Sequence, residues 1–215
     1  MFKTVIFDVD GTLLNTEPVY MRAWQEAGAL FGYDVPMEAL LQTRAVNKAV
    51  AQERFRFYCG EDFDYDTVRR ERVRIGEALI GQTAPEALRM PGALEVLTAL
   101  KAEGYTLAAA TSTPRQESLE HLRRAELEHL FSGVVCGDMI SRGKPEPDIF
   151  LEAARLTGSR PEACLAVGDT PADVLSATAA GMKVILIPDQ VPPTEEIKNR
   201  CLACLENLEQ LWEYL

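Results

Sequence analysis

The chain has 215 residues, 47% hydrophobic and 26% charged, a globular balance at a length that closes a core without disulfides. Its formal net charge of −11 excludes nucleic acid as the expected partner, because phosphate backbones are held by surplus Lys and Arg. No apolar run approaches the roughly 20 residues of a bilayer-crossing helix, which excludes a membrane span.

The first predicted element is TVIFDVDG, residues 4–11, a short apolar run that stops at acids and Gly11. Its length and its Val, Ile and Phe content predict a strand buried on both faces. From about residue 16 to 88 no strand-like run follows. Amphipathic segments such as VYMRAWQEAGALF and DTVRRERVRIGEALI keep a helical period there, with Gly32, Gly60 and Gly81 as interruptions. This stretch reads as a helical cap domain, 16–88, inserted into a core made of 1–15 and 89–215. Residues 91–103 predict a helix closed at Gly104, and YTLAAAT at 105–111 a second buried strand. A helix from about Pro114, the strand GVVC at 133–136 and a helix opened by Pro145 come next. CLAVGD at 164–169 is a strand ending in an acid, followed by a helix from Pro171 to Gly181 and the strand KVILIP at 183–188. The tail TEEIKNRCLACLENLEQLWEYL reads as helical, packed on the core edge.

Repeated strand–helix alternation specifies βαβ units, hence an α/β fold: a doubly wound, Rossmann-like parallel sheet core with an inserted helical cap domain. The polar residues of interest fall where strands end, namely Asp8, Asp10, Thr111, Ser112 and Asp169. In an open parallel sheet, ligands bind outside the carboxyl ends of the strands, so these side chains are expected to converge on one crevice.

Asp8-Val9-Asp10-Gly11-Thr12 is the sharpest chemical signal. A continuing strand would place both carboxylates on one face, whereas a turn at Gly11 would let them take separate roles. One carboxylate is a competent nucleophile toward phosphorus if a metal neutralises the incoming charge, and the other can protonate a leaving oxygen and later deprotonate water. An acidic strand-to-turn ending is the bland alternative. Other features point to structure instead. The five cysteines are odd in number and scattered, with no signal peptide read at the N-terminus, so reduced thiols and a cytoplasmic location are expected. Cys201 and Cys204 form a single C-x-x-C without further ligands, on a segment that reads as helical. His121 and His129 lie in the charged EHLRRAELEH and are expected on the surface.

DVDGTL resembles the first signature of the haloacid-dehalogenase superfamily, and the remaining signatures follow in order. Thr111 ends an apolar strand like the second, Lys144 stands before Pro145 in GKPEPDIF like the third, and GDTPAD at 168–173 with AAGM resembles the fourth. The resemblance covers roughly residues 1–190 and rests on joint occurrence rather than on any one motif. It implies a magnesium-dependent phosphatase that hydrolyses a small phosphate monoester, of the sugar phosphate, phosphoglycolate or nucleotide class, through an aspartyl phosphate. Asp8 is the implied nucleophile, Asp10 the general acid/base, and Lys144 the cation beside Asp8. Thr111 and the Ser112 backbone would bind phosphoryl oxygens. Mg²⁺ would be held by Asp8, Asp169 and the Asp10 backbone carbonyl, with Asp173 in the outer sphere. Asp173 also has a purely structural reading, as the third residue of a helix capped by Thr170.

The same resemblance separates reaction types. A carboxylate at Asp10 argues against the dehalogenase and phosphonate-hydrolysing branches. Hexose-phosphate mutases keep it and are the near alternative, but Tyr20 stands where they usually carry His, Pro114 where they carry Lys, and Gly168 where they carry Glu. Asn15 also replaces a common acid. Specificity is expected from the cap, with Arg44 and, from the core, Arg115 as candidate anchors for a substrate anion; Lys48 reads as a solvated charge. A binding module that kept the fold without turnover is the remote alternative.

Overall fold

A computed structural model describes residues 2–43, 48–189 and 192–215. The chain divides into two compact units, Met1–Asn15 with Ala84–Leu215, and Thr16–Thr83.

The first unit is built on strands β1 (Thr4–Phe7), β2 (Thr106–Thr111), β3 (Gly133–Cys136), β4 (Cys164–Gly168), β5 (Lys183–Leu186) and β6 (Ala203–Cys204). All pairings are parallel, in the order β3-β2-β1-β4-β5-β6. Val5, Ile6 and Phe7 are all fully buried, because a parallel sheet covered on both faces leaves no strand side for solvent. On one face Ile6, Ala108, Ala166 and Val184 pack with Ile149, Phe150 and Val174. Those last three residues come from two of the helices that connect the strands, α8 (Asp148–Leu156) and α9 (Pro171–Ala179). Phe7 lies level with Ala109 on one side and Val167 on the other. The strand order reverses at β1: the chain goes outward to β2 and β3 and then returns to β4 on the other side. Asp8 and Asp169, each one residue past its strand, therefore flank the switch-point crevice that this topology opens.

Among the described residues, the remaining α-helices of this unit are α5 (Pro85–Leu88), α6 (Ala93–Ala102), α7 (Arg115–Arg124) and α10 (Glu195–Lys198). Where the chain leaves β1's turn and where it returns, two segments pair antiparallel: Asn15 N–H donates to the Leu88 carbonyl at 2.9 Å, and Met90 N–H to that of Leu13 at 2.8 Å. Arg89 fixes the returning segment by donating to the Ala125 carbonyl at 3.0 Å.

The second unit holds α1 (Glu17–Leu30), α2 (Met37–Gln42), α3 (Lys48–Cys59) and α4 (Tyr65–Gln82). Its core is aromatic. Trp24 and Phe55 lie 4.4 Å apart between ring centroids, Phe55 stacks on Phe63 at 5.1 Å, and Ala23, Ala27, Val68 and Ile75 close around them. Lys48 pairs with Asp66 at 2.7 Å on the exposed surface.

Four expectations are corrected. Only Gly32 and Gly60 fall between helices; Gly81 lies inside α4. The helix expected from Pro145 starts at Asp148, because Pro147 pushes Glu146 out of helical geometry. The tail is not one helix. After α10, Leu202 N–H donates to the Val184 carbonyl and Leu205 N–H to that of Leu186, drawing the segment onto β5 as a sixth strand that contains Cys204. His121 is 1% exposed, since Ser118, His121 and Leu122 form the inward face of α7; His129 is exposed as expected.

Candidate active site

Beyond β1 the chain continues in register for one residue, with Asp8 N–H donating to the Val167 carbonyl at 2.8 Å, and then turns. Leu13 and Leu14 N–H both return to the Val9 carbonyl, and Gly11 adopts φ of +89°, a conformation that favours glycine. A Cβ at Gly11 would stand 2.4 Å from Asp169 Oδ2, so the bare backbone is also what lets the two strand ends approach. The turn separates the two acids of the motif. Asp8 stays in the crevice, 7% exposed, while Asp10 directs Oδ2 toward the end of β2.

Lys144 reaches the same point from the turn before α8. Its Nζ donates to Asp8 Oδ1 at 2.5 Å and to the Ala110 carbonyl at 2.8 Å, and it lies 2.6 Å from Asp173 Oδ1. The side chain is 5% exposed, so three oxygens replace the water it has lost. Burial works against its charge, but Asp173 and Asp8 outweigh burial and raise its pKa above that of an ordinary lysine. The opposite imbalance holds for Asp8. Desolvation pushes its carboxyl up to about 8, and Asp173 and Asp10 add to the rise against the ammonium of Lys144. One lysine does not neutralise this collection of carboxylates.

Asp8, Asp169 and Asp173 each offer an oxygen, and the three oxygens lie within 4.8 Å of one another, all in buried residues. Asp173 Oδ1 accepts no hydrogen bond of good geometry among the described residues and is compensated only by the nearby ammonium. Its other oxygen, Oδ2, accepts from Thr170 N–H at 3.0 Å and from the Thr170 hydroxyl at 2.6 Å, which makes Asp173 a capping residue of α9 as well. A buried, all-carboxylate, hard-oxygen set with excess negative charge fits a Mg²⁺ ion. The Thr12 hydroxyl donates to Asp169 Oδ1 at 3.2 Å and orients that carboxylate.

At the end of β2, Thr111 is buried. Its hydroxyl donates to Asp10 Oδ2 at 3.3 Å and accepts from Thr113 N–H at 3.0 Å. The Thr113 hydroxyl donates to the same carboxylate oxygen at 2.7 Å. Ser112 has an exposed side chain, and its carbonyl packs against Gly137, where a Cβ would come within 2.2 Å.

Of the residues read from sequence, the fold brings Asp8, Lys144, Asp169 and Asp173 into one group, with Asp10 in the turn after β1 and Thr111 and Ser112 at the end of β2. Arg115 does not join them. It is exposed, its backbone N–H donates to Asp138 Oδ1 at 3.0 Å, and its guanidinium lies 3.5 Å from the Met139 sulfur. Arg44 lies outside the described residues. Thr12 and Thr113 escaped the sequence reading, which expected the turn at Gly11 but not the close approach to Asp169 that its bare backbone allows; for Thr113 the alternation Thr111-Ser112-Thr113, which puts two hydroxyls on one side, was the available signal.

The family model for haloacid dehalogenase-like hydrolases matches residues 2–181. A phosphorylated carbohydrates phosphatase of Thermotoga maritima is 30% identical over 187 residues, covering 85% of this chain and 83% of its own. A beta-phosphoglucomutase of Bacillus subtilis is 27% identical and covers 98% and 96%. The crystal structure of CbbY from Rhodobacter sphaeroides in complex with phosphate superposes with a TM-score of 0.80 at 27% identity, covering 98% of this chain and 96% of that one. With this match across most of its length, and with buried acids and a lysine gathered at the switch point of its sheet, the chain belongs to the haloacid dehalogenase-like hydrolases.

Proposed function

We propose that the chain is a Mg²⁺-dependent phosphatase that hydrolyses a small phosphate monoester, of the sugar-phosphate class or close to it, through an aspartyl phosphate on Asp8. The observation that carries this reading is the Asp8 carboxylate, held by Lys144 at 2.5 Å and within reach of the Asp169 and Asp173 oxygens at the mouth of the sheet.

Asp8, Asp169 and Asp173 would hold the ion, with the Asp10 backbone carbonyl, and the ion would supply positive charge against the incoming phosphate dianion. The chain's own residues do the rest. The Asp8 carboxylate attacks phosphorus, and Lys144 balances the charge that builds beside it. The Thr111 hydroxyl and the Ser112 backbone N–H hold phosphoryl oxygens. Asp10 gives its proton to the leaving oxygen, then takes one from the water that opens the acyl phosphate, so the two half-reactions use one acid/base in both directions. An acidic protein thereby binds an anion through a local positive field.

Gly168 favours hydrolysis over mutase action. A Cβ there would come within 2.5 Å of Asp173 Cβ, so no side chain replaces it without displacing Asp173. Pro114, which precedes α7, likewise offers no donor for a second phosphate. Selectivity among esters is ascribed to the helical unit Thr16–Thr83.

The test is release of inorganic phosphate from a panel of sugar, polyol and nucleoside monophosphates with Mg²⁺. We expect release that disappears with EDTA and in Asp8→Asn. Isomerised sugar phosphate without free phosphate would assign a mutase, and absence of turnover on every ester would refute the phosphatase.

A further inference from the structure

We infer that Thr113 is a positioning residue for the acid/base Asp10, and that its hydroxyl, rather than that of Thr111, holds the carboxylate while a phosphoryl group is bound. The inference rests on the reading of Asp10 as the proton donor to the leaving oxygen.

A threonine hydroxyl has a single O–H to donate. In the structure Thr111 gives its hydrogen to Asp10 Oδ2 over 3.3 Å, a long contact, while its oxygen accepts the Thr113 N–H. Once a phosphoryl oxygen enters beside Asp8, the same hydrogen is the one Thr111 would offer it, and Asp10 loses that contact. Thr113 has no such competing duty. Its hydroxyl lies 2.7 Å from Asp10 Oδ2, the shorter and stronger of the two bonds. Its own position is fixed at the backbone: Thr113 N–H is bound to Thr111 Oγ1, and the Thr113 carbonyl accepts from Gly137 N–H at 3.2 Å. Gly137 in turn lies directly against the Ser112 carbonyl, in a place no side chain could share. The end of β3 thus holds the loop after β2, and that loop holds Asp10. A carboxylate fixed at one oxygen keeps its other oxygen directed, which is what proton delivery to a leaving group needs.

The experiment compares Thr113→Val, Thr113→Ala and Thr113→Ser with the wild type on two substrates. An alkyl phosphate such as glycerol phosphate has a poor leaving group and needs the acid. p-Nitrophenyl phosphate has a good one, and its first turnover, read as a pre-steady-state burst of p-nitrophenolate, does not. For Val and Ala we expect kcat on the alkyl ester to fall roughly 10- to 100-fold, the scale of one lost hydrogen bond to a charged group, with KM within about twofold. The p-nitrophenolate burst rate should stay within about threefold, and Ser should recover most of the alkyl-ester rate. Circular dichroism confirms folding of each variant. Equal losses on both esters, a loss carried in KM, or no recovery in Ser would overturn the assignment while leaving the phosphatase intact. The alkyl ester used is whichever member of the sugar, polyol and nucleoside monophosphate panel the wild type turns over, and a wild type inactive on every one of them would remove the phosphatase and this role together.

Discussion

Adding one methyl group at Gly11 tests how tightly the acidic crevice is assembled. In Gly11→Ala the new Cβ would lie 2.4 Å from Asp169 Oδ2 and 2.9 Å from its carboxyl carbon. An ordinary carbon–heavy atom contact is about 3.5 Å, so the carboxylate must retreat by roughly 1 Å. The backbone φ of +89° adds a further penalty of about 1–2 kcal/mol for any residue with a side chain. Asp169 has little room to yield, since its Oδ1 is bound to the Thr12 hydroxyl at 3.2 Å. We expect a loss of about 1–3 kcal/mol, read as a melting temperature lower by roughly 3–10 °C. Mg²⁺ affinity should fall about 10- to 100-fold, as when the support of a metal ligand is removed. Differential scanning fluorimetry with a Mg²⁺ titration measures both. Gly81→Ala is the control: it meets nothing within 4 Å, lies inside α4, and should gain about 0.5–1 kcal/mol with unchanged phosphate release. If Gly11→Ala binds Mg²⁺ within about twofold of wild type, the close approach of the two strand ends does not organise the proposed metal site.

Two further outcomes follow from the same charges. Lys144→Met keeps the aliphatic stem but removes the ammonium from between Asp8 and Asp173, and in EDTA at pH 7 it should cost about 3–5 kcal/mol of unfolding free energy, part of which Mg²⁺ restores; an unchanged urea midpoint would contradict the buried pairing. Burial pushes the Asp8 carboxyl up from 3.8 to about 8, so the folded state holds the extra proton and this group's contribution to stability is lost as pH rises toward 8. Mg²⁺ competes with that proton. Its affinity should therefore rise between pH 6 and 8, with proton release detected by calorimetry in buffers of different ionisation enthalpy, and a flat affinity over that range would oppose the assignment.

Much of the core was legible because parallel strands buried on both faces are short, apolar and closed by polar residues. That pattern marks β1, β2 and β4 and puts Asp8, Thr111 and Asp169 at their ends without any three-dimensional information. The order of the strands was not legible, and neither was β6. Two residues, Ala203 and Cys204, cannot show a period, and they join the sheet only because β5 offers a free edge. His121 was misread for a related reason. The charges of α7 crowd its outer face and mask a small inward face of Ser118, His121 and Leu122, two of which are polar residues. In the site, carboxylates and a lysine announce themselves by type. The contributions of Thr12 and Thr113 depend on where single hydroxyls point, and that of Gly11 on the absence of atoms, none of which composition or spacing records.

The antiparallel pairing of Leu13–Asn15 with Leu88–Met90 has a consequence for how such a chain diversifies. The excursion to Thr16–Thr83 leaves and re-enters at neighbouring points, so the sheet senses the distance between its ends and not its content. Closing a detour of that length, compared with a turn of about four residues, costs only roughly 2.5 kcal/mol of chain entropy, because the penalty grows with the logarithm of length. A sheet wired this way can exchange the whole detour for another of different size while its carboxylates stay where the strands leave them.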